Sequence, residues 1–258
     1  MKVVILCGGL GTRLKEETEF KPKPLVTIGG MPILWHIMKI YSHYGYKDFV
    51  LCLGYKGHEI KNFFVTYDLL RHDFTLNLGK REKNSIYHNS EQLEDWNITF
   101  AETGLETLTG GRIKKIEKYI DEDDFFLTYG DGLADVNIKN LLNFHQKHGK
   151  IGTLTSIQPL SRFGIVDFNE LGMVTSFKEK PKLDGWINGG FFVFKKDVFD
   201  YIDGNEVFEQ TPLSKLAKNE QLAAYAHKGL WECMDTHRDF ENLNKIWNSG
   251  NAFWKVWD

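Results

Sequence analysis

A glycine-rich string directly behind the first apolar run limits the fold more than any other stretch. Residues 2–6, Lys-Val-Val-Ile-Leu, are short, β-branched and bounded by glycine, which reads as a buried strand ending at Leu6. Cys7-Gly8-Gly9-Leu10-Gly11-Thr12-Arg13-Leu14 follows it. Without a Cβ, the glycines let backbone N–H groups close on an anion. Thr12 adds a hydroxyl donor, and Arg13 a planar, permanently charged fork suited to phosphate oxygens. Lys23 comes next between Pro22 and Pro24, whose fixed φ stiffens the backbone around it. Strand, loop and two converging cations predict an anion-binding loop at a strand end. Two commoner glycine loops do not fit. Leu14 stands where a dinucleotide fingerprint needs Gly or Ala, which disfavours a nicotinamide-dependent oxidoreductase, and the G-x-x-x-x-G-K-[ST] string of a P-loop is absent.

The rest of the chain alternates. Pro32 suits the first turn of a helix over 32–44, with Ile33, Ile37, Ile40 and Tyr44 on one face and Gly45 at its end. A strand over 48–53, a helix over 57–66 and a strand over 97–102 come next. Ile113, Ile116 and Ile120 mark a further helix. An apolar strand over 125–129 then runs into Gly130-Asp131-Gly132, ahead of a helix over 138–147 and a strand over 151–157. This order predicts βαβ units in a Rossmann-like, mostly parallel sheet flanked by helices. Residues 67–96 interrupt it with two short β-like pieces at 74–78 and 85–87; they read as a surface excursion or as a lid or oligomer contact. From Ser161 short segments at 164–168, 174–179 and 186–194 alternate with Asn/Gly turns and predict antiparallel pairing. Helices over 198–202 and 209–219 and strands over 222–227 and 230–234 follow. Thr236 can cap a last helix carrying Phe240, Leu243, Ile246 and Trp247, and the aromatic tail 253–257 can dock on the body. In such sheets ligands bind beyond the carboxyl ends of the strands. That rule puts Gly8 to Arg13, residues 103–112, Gly130, Asp131, Glu179, Lys180 and Asp235 on one side.

A net charge of −3 over 258 residues leaves no basic footprint for nucleic acid. Cys7, Cys52 and Cys233 are too few and too scattered for a disulfide framework or a metal knuckle; they read as buried thiols in a reducing cytosol. With no signal peptide and no apolar run near about twenty residues, the reading is cytoplasmic with no membrane association. Asp131 and Asp235 both follow strands. Two such carboxylates near a phosphate loop suit one Mg²⁺, which takes one or two carboxylates and fills the rest with water and phosphate oxygens. Asp235 has a second reading, as a cap of the following helix with Thr236.

The string L-x-G-G-x-G-T-R-L ending at Leu14, with Pro22-Lys23-Pro24-Leu25 after it, resembles the signature of the sugar-1-phosphate nucleotidyltransferases. The resemblance extends over essentially the whole chain. It implies one nucleotide-diphospho-sugar transferase domain, 1–258, with a nucleotide-binding part over 1–150 and an antiparallel sugar-binding part over 151–258. Arg13, Lys23 and Asp131 would be catalytic, with Mg²⁺ on Asp131 and Asp235. Leu6, Gly8, Gly9, Gly11, Thr12, Arg13, Lys23, Thr103, Gly104, Gly110, Arg112 and Gly130 would line the nucleotide. Phe177-Lys178-Glu179-Lys180-Pro181 resembles the family's F-x-E-K-P string, implying that Glu179 holds hexose hydroxyls and Lys180 the sugar phosphate. Asn188-Gly189-Gly190 resembles its second sugar contact.

Members that use dTTP or UTP carry Q-P-x-G-L-A where this chain has Glu102-Thr103-Gly104-Leu105-Glu106. That departure resembles the cytidylyl-transferring branch and implies CTP and glucose 1-phosphate as substrates. Backbone near Gly104 and Gly110 is the expected acceptor for the cytosine amine, and Arg112 the expected donor to the ring. The same chemistry with UTP or dTTP, and a non-catalytic regulatory member of the fold, are the alternatives. The resemblance further implies a homo-oligomer, with a hexamer among the possible states, and a product feeding dideoxysugar synthesis for surface polysaccharide.

Overall fold

The structure is a computed structural model in which residues 1–67, 69–71, 73–76, 85–88, 94–161 and 163–257 are described. Its centre is an eight-stranded sheet. Four strands run parallel in the order Asn97–Glu102, Asp48–Leu53, Val3–Leu6, Asp124–Tyr129. Phe192–Lys195 then pairs antiparallel with Asp124–Tyr129. Gly152–Ile157 pairs antiparallel with Phe192–Lys195 and with Ile187–Asn188, and parallel with Leu222–Ala226. The parallel half is as the alternation of strand and helix predicts. The second half is antiparallel except for Leu222–Ala226, whose helical connection returns it in the same sense as Gly152–Ile157.

The first strand is central because both of its faces are apolar. Val3, Val4 and Ile5 are fully buried. Successive side chains of a strand point to opposite faces, so Val3 and Ile5 enter one core and Val4 the other. The first core packs under helix Ile33–His43 through Ile33, Ile37, Ile40 and Tyr41, and under the last helix, His237–Asn248, through Leu243. Each fully buried Ile or Leu there contributes roughly 1.5–3 kcal/mol. Trp254 of the tail is wholly buried on this side. It donates to His36 Nδ1 at 3.4 Å, while His36 Nε2 bonds the Ile28 carbonyl at 2.9 Å. Both bonds suit one neutral tautomer, and burial pulls the His36 pKa down to about 4.

Several boundaries differ from expectation for tertiary reasons. The helix marked by Ile113, Ile116 and Ile120 starts earlier, within 103–112, as Thr109–Lys115, followed by a 3-10 turn at Glu117–Tyr119. Gly110 and Gly111 sit there because neighbouring chain leaves no room for more. A Cβ on Gly110 would lie 2.7 Å from the Glu206 carbonyl oxygen, and one on Gly111 2.7 Å from Asn205 Oδ1. The strand expected over 186–194 is two pieces, Ile187–Asn188 and Phe192–Lys195, broken where Gly190 and Phe191 take positive φ. The expected helix at 198–202 is a 3-10 helix, Lys196–Tyr201. Cys7 and Cys52 are buried free thiols, but Cys233 is only half-buried, on a strand paired along one edge. Within 67–96, Asp73–Leu76 and Ser85–His88 form an antiparallel pair, and residues 77–84 and 89–93 lie outside the described ones.

Ile165–Phe168 and Val174–Lys178 form a separate antiparallel hairpin. Phe168, Val174 and Phe177 are exposed on it. Among the described residues no helix is long and apolar enough to cross a membrane.

Candidate active site

A cavity of about 410 Å³ opens where the central parallel strands end. Cys7 N makes a last ladder bond to Cys52 O at 3.0 Å, and the chain then leaves the sheet through Gly8. Gly8 is obligatory by crowding, since a Cβ would lie 2.2 Å from Arg112 Cζ. Gly11 takes φ +63°, which turns the chain into the 3-10 turn Thr12–Leu14. Buried Leu14 pins that turn, and Thr18 Oγ1 donates to the carbonyls of Gly11 at 3.0 Å and Leu14 at 2.9 Å. The loop thus presents Thr12 and Arg13 to the cavity from a fixed base.

Lys23 stands on a second 3-10 turn, Lys23–Leu25, preceded by Pro22. Its side chain is 13% exposed, and Nζ lies 2.7 Å from Asp131 Oδ2 and 2.6 Å from Asp235 Oδ1. Arg13 reaches the other oxygen of Asp235 at 3.0 Å. Burial works against the charge of Lys23, but the attraction and hydrogen bonds of the two aspartates outweigh it and raise its pKa. Thr236 caps helix His237–Asn248 in a reciprocal capping box with Asp239, so the Asp235 carboxylate turns to Lys23 and Arg13 instead of capping.

This donor set fits the expected Mg²⁺. Two carboxylates already converge on one cation, the Lys23 ammonium. Mg²⁺ takes one or two carboxylates and fills the rest of its shell with water and phosphate oxygens.

The residues expected at the nucleotide divide into two sets. Leu6, Gly8, Gly9, Gly11, Thr12, Arg13, Lys23, Arg112, Gly130, Asp131 and Asp235 line the cavity. Thr103, Gly104 and Gly110 do not. Thr103 is buried and donates from Oγ1 to Leu53 O at 2.6 Å. Gly110 N donates to Glu206 O at 2.8 Å. Arg112 has different work from that of a free donor aimed at a base. It is 4% exposed. One guanidinium nitrogen donates to Leu53 O at 3.0 Å, Thr103 Oγ1 at 2.6 Å and Gly104 O at 2.8 Å. The other donates to Gly8 O at 3.0 Å and Leu105 O at 3.2 Å. The side chain laces the glycine loop to the 103–105 turn.

The residues expected at the sugar do not gather in the cavity either. Glu179 and Lys180 sit exposed at the end of the hairpin, paired with each other at 3.8 Å, and Lys180 has φ 45°. Asn188 connects to the cavity indirectly, donating from Nδ2 to the Tyr129 hydroxyl at 3.1 Å. Gly189 O accepts from Trp231 Nε1 at 2.8 Å.

Tyr129 and Glu209 escaped the sequence reading, and Thr109 was not singled out within the expected 103–112 stretch. Tyr129 donates to Glu209 Oε1 at 2.6 Å, and Thr109 Oγ1 to Glu209 Oε2 at 2.7 Å. Burial first, and then the Glu209 carboxylate, push the Tyr129 pKa up and keep its hydroxyl neutral. A polar Tyr closing the apolar run Phe125-Phe126-Leu127-Thr128 was a readable signal. Glu209 carried none: expected to open a helix over 209–219, it lies in a turn before the helix, which is Thr211–Lys218.

A glycine loop, two cations and two converging carboxylates in one cleft suit chemistry on a polyphosphate. Known proteins agree with that reading. The chain is 50% identical over 261 residues to glucose-1-phosphate cytidylyltransferases of Salmonella typhi and Salmonella typhimurium, covering 100% of both chains in each comparison. In fold it is similar to the crystal structure of HddC from Yersinia pseudotuberculosis, with a TM-score of 0.69 at 24% identity, covering 95% of this chain and 99% of that one. The Nucleotidyl transferase family model matches residues 2–249. The chain therefore belongs to the nucleotidyl transferase family, as its glycine loop and strand-end aspartates indicate.

Proposed function

We propose that this protein transfers CMP from CTP to α-D-glucose 1-phosphate, giving CDP-glucose and pyrophosphate. The observation that carries the reading is the 50% identity to glucose-1-phosphate cytidylyltransferases over the whole of both chains. A sugar phosphate oxygen attacks the α-phosphorus of CTP and pyrophosphate leaves on the opposite side. The nucleophile is already an anion, so no covalent enzyme intermediate is needed. Catalysis is positioning and charge stabilisation. The loop from Gly8 to Thr12 holds the triphosphate, Arg13 neutralises the departing pyrophosphate, and Lys23 bears on the α-phosphate. Asp131 and Asp235 would hold Mg²⁺, which when bound neutralises phosphate oxygens of both anions.

Glu179 and Lys180, on the exposed hairpin, take the hexose and its phosphate, and Asn188 is the second hexose contact. The protein works in the cytoplasm as a homo-oligomer. The exposed Phe168, Val174 and Phe177 support an assembly that covers them. The product is an activated hexose for dideoxysugar synthesis in surface polysaccharide.

The test is pyrophosphate release from a panel of CTP, UTP and dTTP with glucose 1-phosphate, with and without Mg²⁺. CTP should exceed the others by at least about tenfold in kcat/KM. Equal rates with UTP would refute the cytidylyl assignment.

A further inference from the structure

A chain of hydrogen bonds runs from Asn188 through the cavity residues Tyr129 and Glu209 to Thr109. Asn188 Oδ1 accepts from Gly190 N at 3.0 Å, which fixes the amide with its NH₂ toward Tyr129. Asn188 Nδ2 donates to the Tyr129 hydroxyl at 3.1 Å, and that hydroxyl donates to Glu209 Oε1 at 2.6 Å. Glu209 Oε2 accepts from Thr109 Oγ1 at 2.7 Å. Thr109 opens helix Thr109–Lys115, and one turn later Arg112 donates to Gly8 O in the glycine loop at 3.0 Å. Hydrogen bonds and this one helical turn connect the proposed hexose contact to the loop.

This chain of hydrogen bonds has one sense. A carboxylate only accepts, so Glu209 takes both hydroxyl protons, and the Tyr129 oxygen is left to receive the Asn188 amide. The Tyr129 ring is held edge-on to Phe192, with centroids 5.7 Å apart, so the hydroxyl stays at its station. Neither Tyr129 nor Glu209 belongs to a motif for phosphate or sugar.

We propose that Tyr129 and Glu209 are positioning residues that tie the hexose subsite to the nucleotide loop and set the separation of the two substrates. The inference rests on the cytidylyl transfer reading above. An in-line displacement needs its reacting atoms about 3–3.5 Å apart, and misplacement by about 1 Å costs on the order of a hundredfold in rate. A strut between the subsites therefore acts on turnover more than on the affinity for either substrate.

Tyr129→Phe deletes one oxygen and cuts the hydrogen-bond chain on both sides while keeping the ring. At saturation kcat should fall by at least about tenfold. The Kd values for CTP alone and glucose 1-phosphate alone, from calorimetry, should each stay within about threefold. Glu209→Leu should match it. Glu209→Gln keeps a carbonyl acceptor for Tyr129 and should recover part of kcat. The double variant, Tyr129→Phe with Glu209→Leu, should be no worse than the poorer single one, because the two residues act as a unit. Unchanged kcat in Tyr129→Phe would overturn the proposal. So would a loss confined to the Kd of one substrate, which would make the pair a direct contact, or multiplicative losses in the double variant. If Glu209→Leu does not fold, Tyr129→Phe and Glu209→Gln carry the test. A wild-type protein that releases no pyrophosphate from CTP and glucose 1-phosphate fails the functional reading itself, and is told apart by that control.

Discussion

Arg112→Lys separates two roles for this side chain. Lysine keeps the charge and loses the planar fork. The guanidinium serves five acceptors: the carbonyls of Leu53, Gly104, Gly8 and Leu105, and the Thr103 hydroxyl. An ammonium has three donors at one point, so at least two of these hydrogen bonds are lost, although Leu53 O keeps its bonds from Thr103 and Gly8 O keeps Tyr55 N. A hydrogen bond to a charged group contributes about 1.5–3 kcal/mol. The Gly104 and Leu105 carbonyls are only part-buried and regain water, so about 3 kcal/mol in total is expected rather than the upper limit. For a chain of this length each kcal/mol moves Tm by roughly 2–4 °C, which gives a fall of about 6–12 °C. Thermal melts give that number, and calorimetry with CTP and UTP gives the second half of the test. Because Arg112 braces the loop, both nucleotides should weaken together and their ratio should persist. An unchanged Tm with a collapsed CTP to UTP ratio would refute the brace and make Arg112 the reader of the base.

Two further perturbations follow from the same geometry. Lys23→Met removes the cation between Asp131 and Asp235; turnover should fall on the order of a hundredfold or more, while Mn²⁺ binding to nucleotide-free protein, followed by electron paramagnetic resonance, should become tighter than in the wild type. Mn²⁺ binding no tighter than the wild type's would show that the ammonium does not compete for the metal position. His36, with its pKa pulled down to about 4 by burial, takes up a proton on unfolding at any pH between that value and the ordinary histidine range. Its contribution is therefore present above about pH 6.5 and is lost as pH falls toward 4, by about 2 kcal/mol between pH 7 and 5. Urea midpoints at those two pH values should differ by more in the wild type than in His36→Gln, and equal pH dependence would refute the assignment.

Much of the fold was legible in local pattern. The run Val3-Val4-Ile5 had to be a strand buried on both faces, and the spacing of Ile33, Ile37 and Ile40 had to be one face of a helix. The glycine loop at the cavity was legible too, since Gly8, Gly11, Thr12 and Arg13 lie in one short stretch and their chemistry is local. The same holds for Lys23 between its prolines. Thr236 could be read as a cap because the helix it opens follows it directly; its partner Asp239 lies one turn on.

What the sequence by itself determined, then, were the elements, their order and the residue types offered at each strand end. Only the tertiary structure decided which of those residues face the cavity and which brace it. Arg112 was spent on Gly8 and Leu53, 104 and 59 residues away. Asp235 was released from capping to meet Lys23, 212 residues away. Glu209 joined Tyr129 across 80 residues. A side chain's periodicity reports which face of its own element it occupies. Its hydrogen-bond partners depend on which other elements arrive at that face, and that is set by packing of the whole sheet.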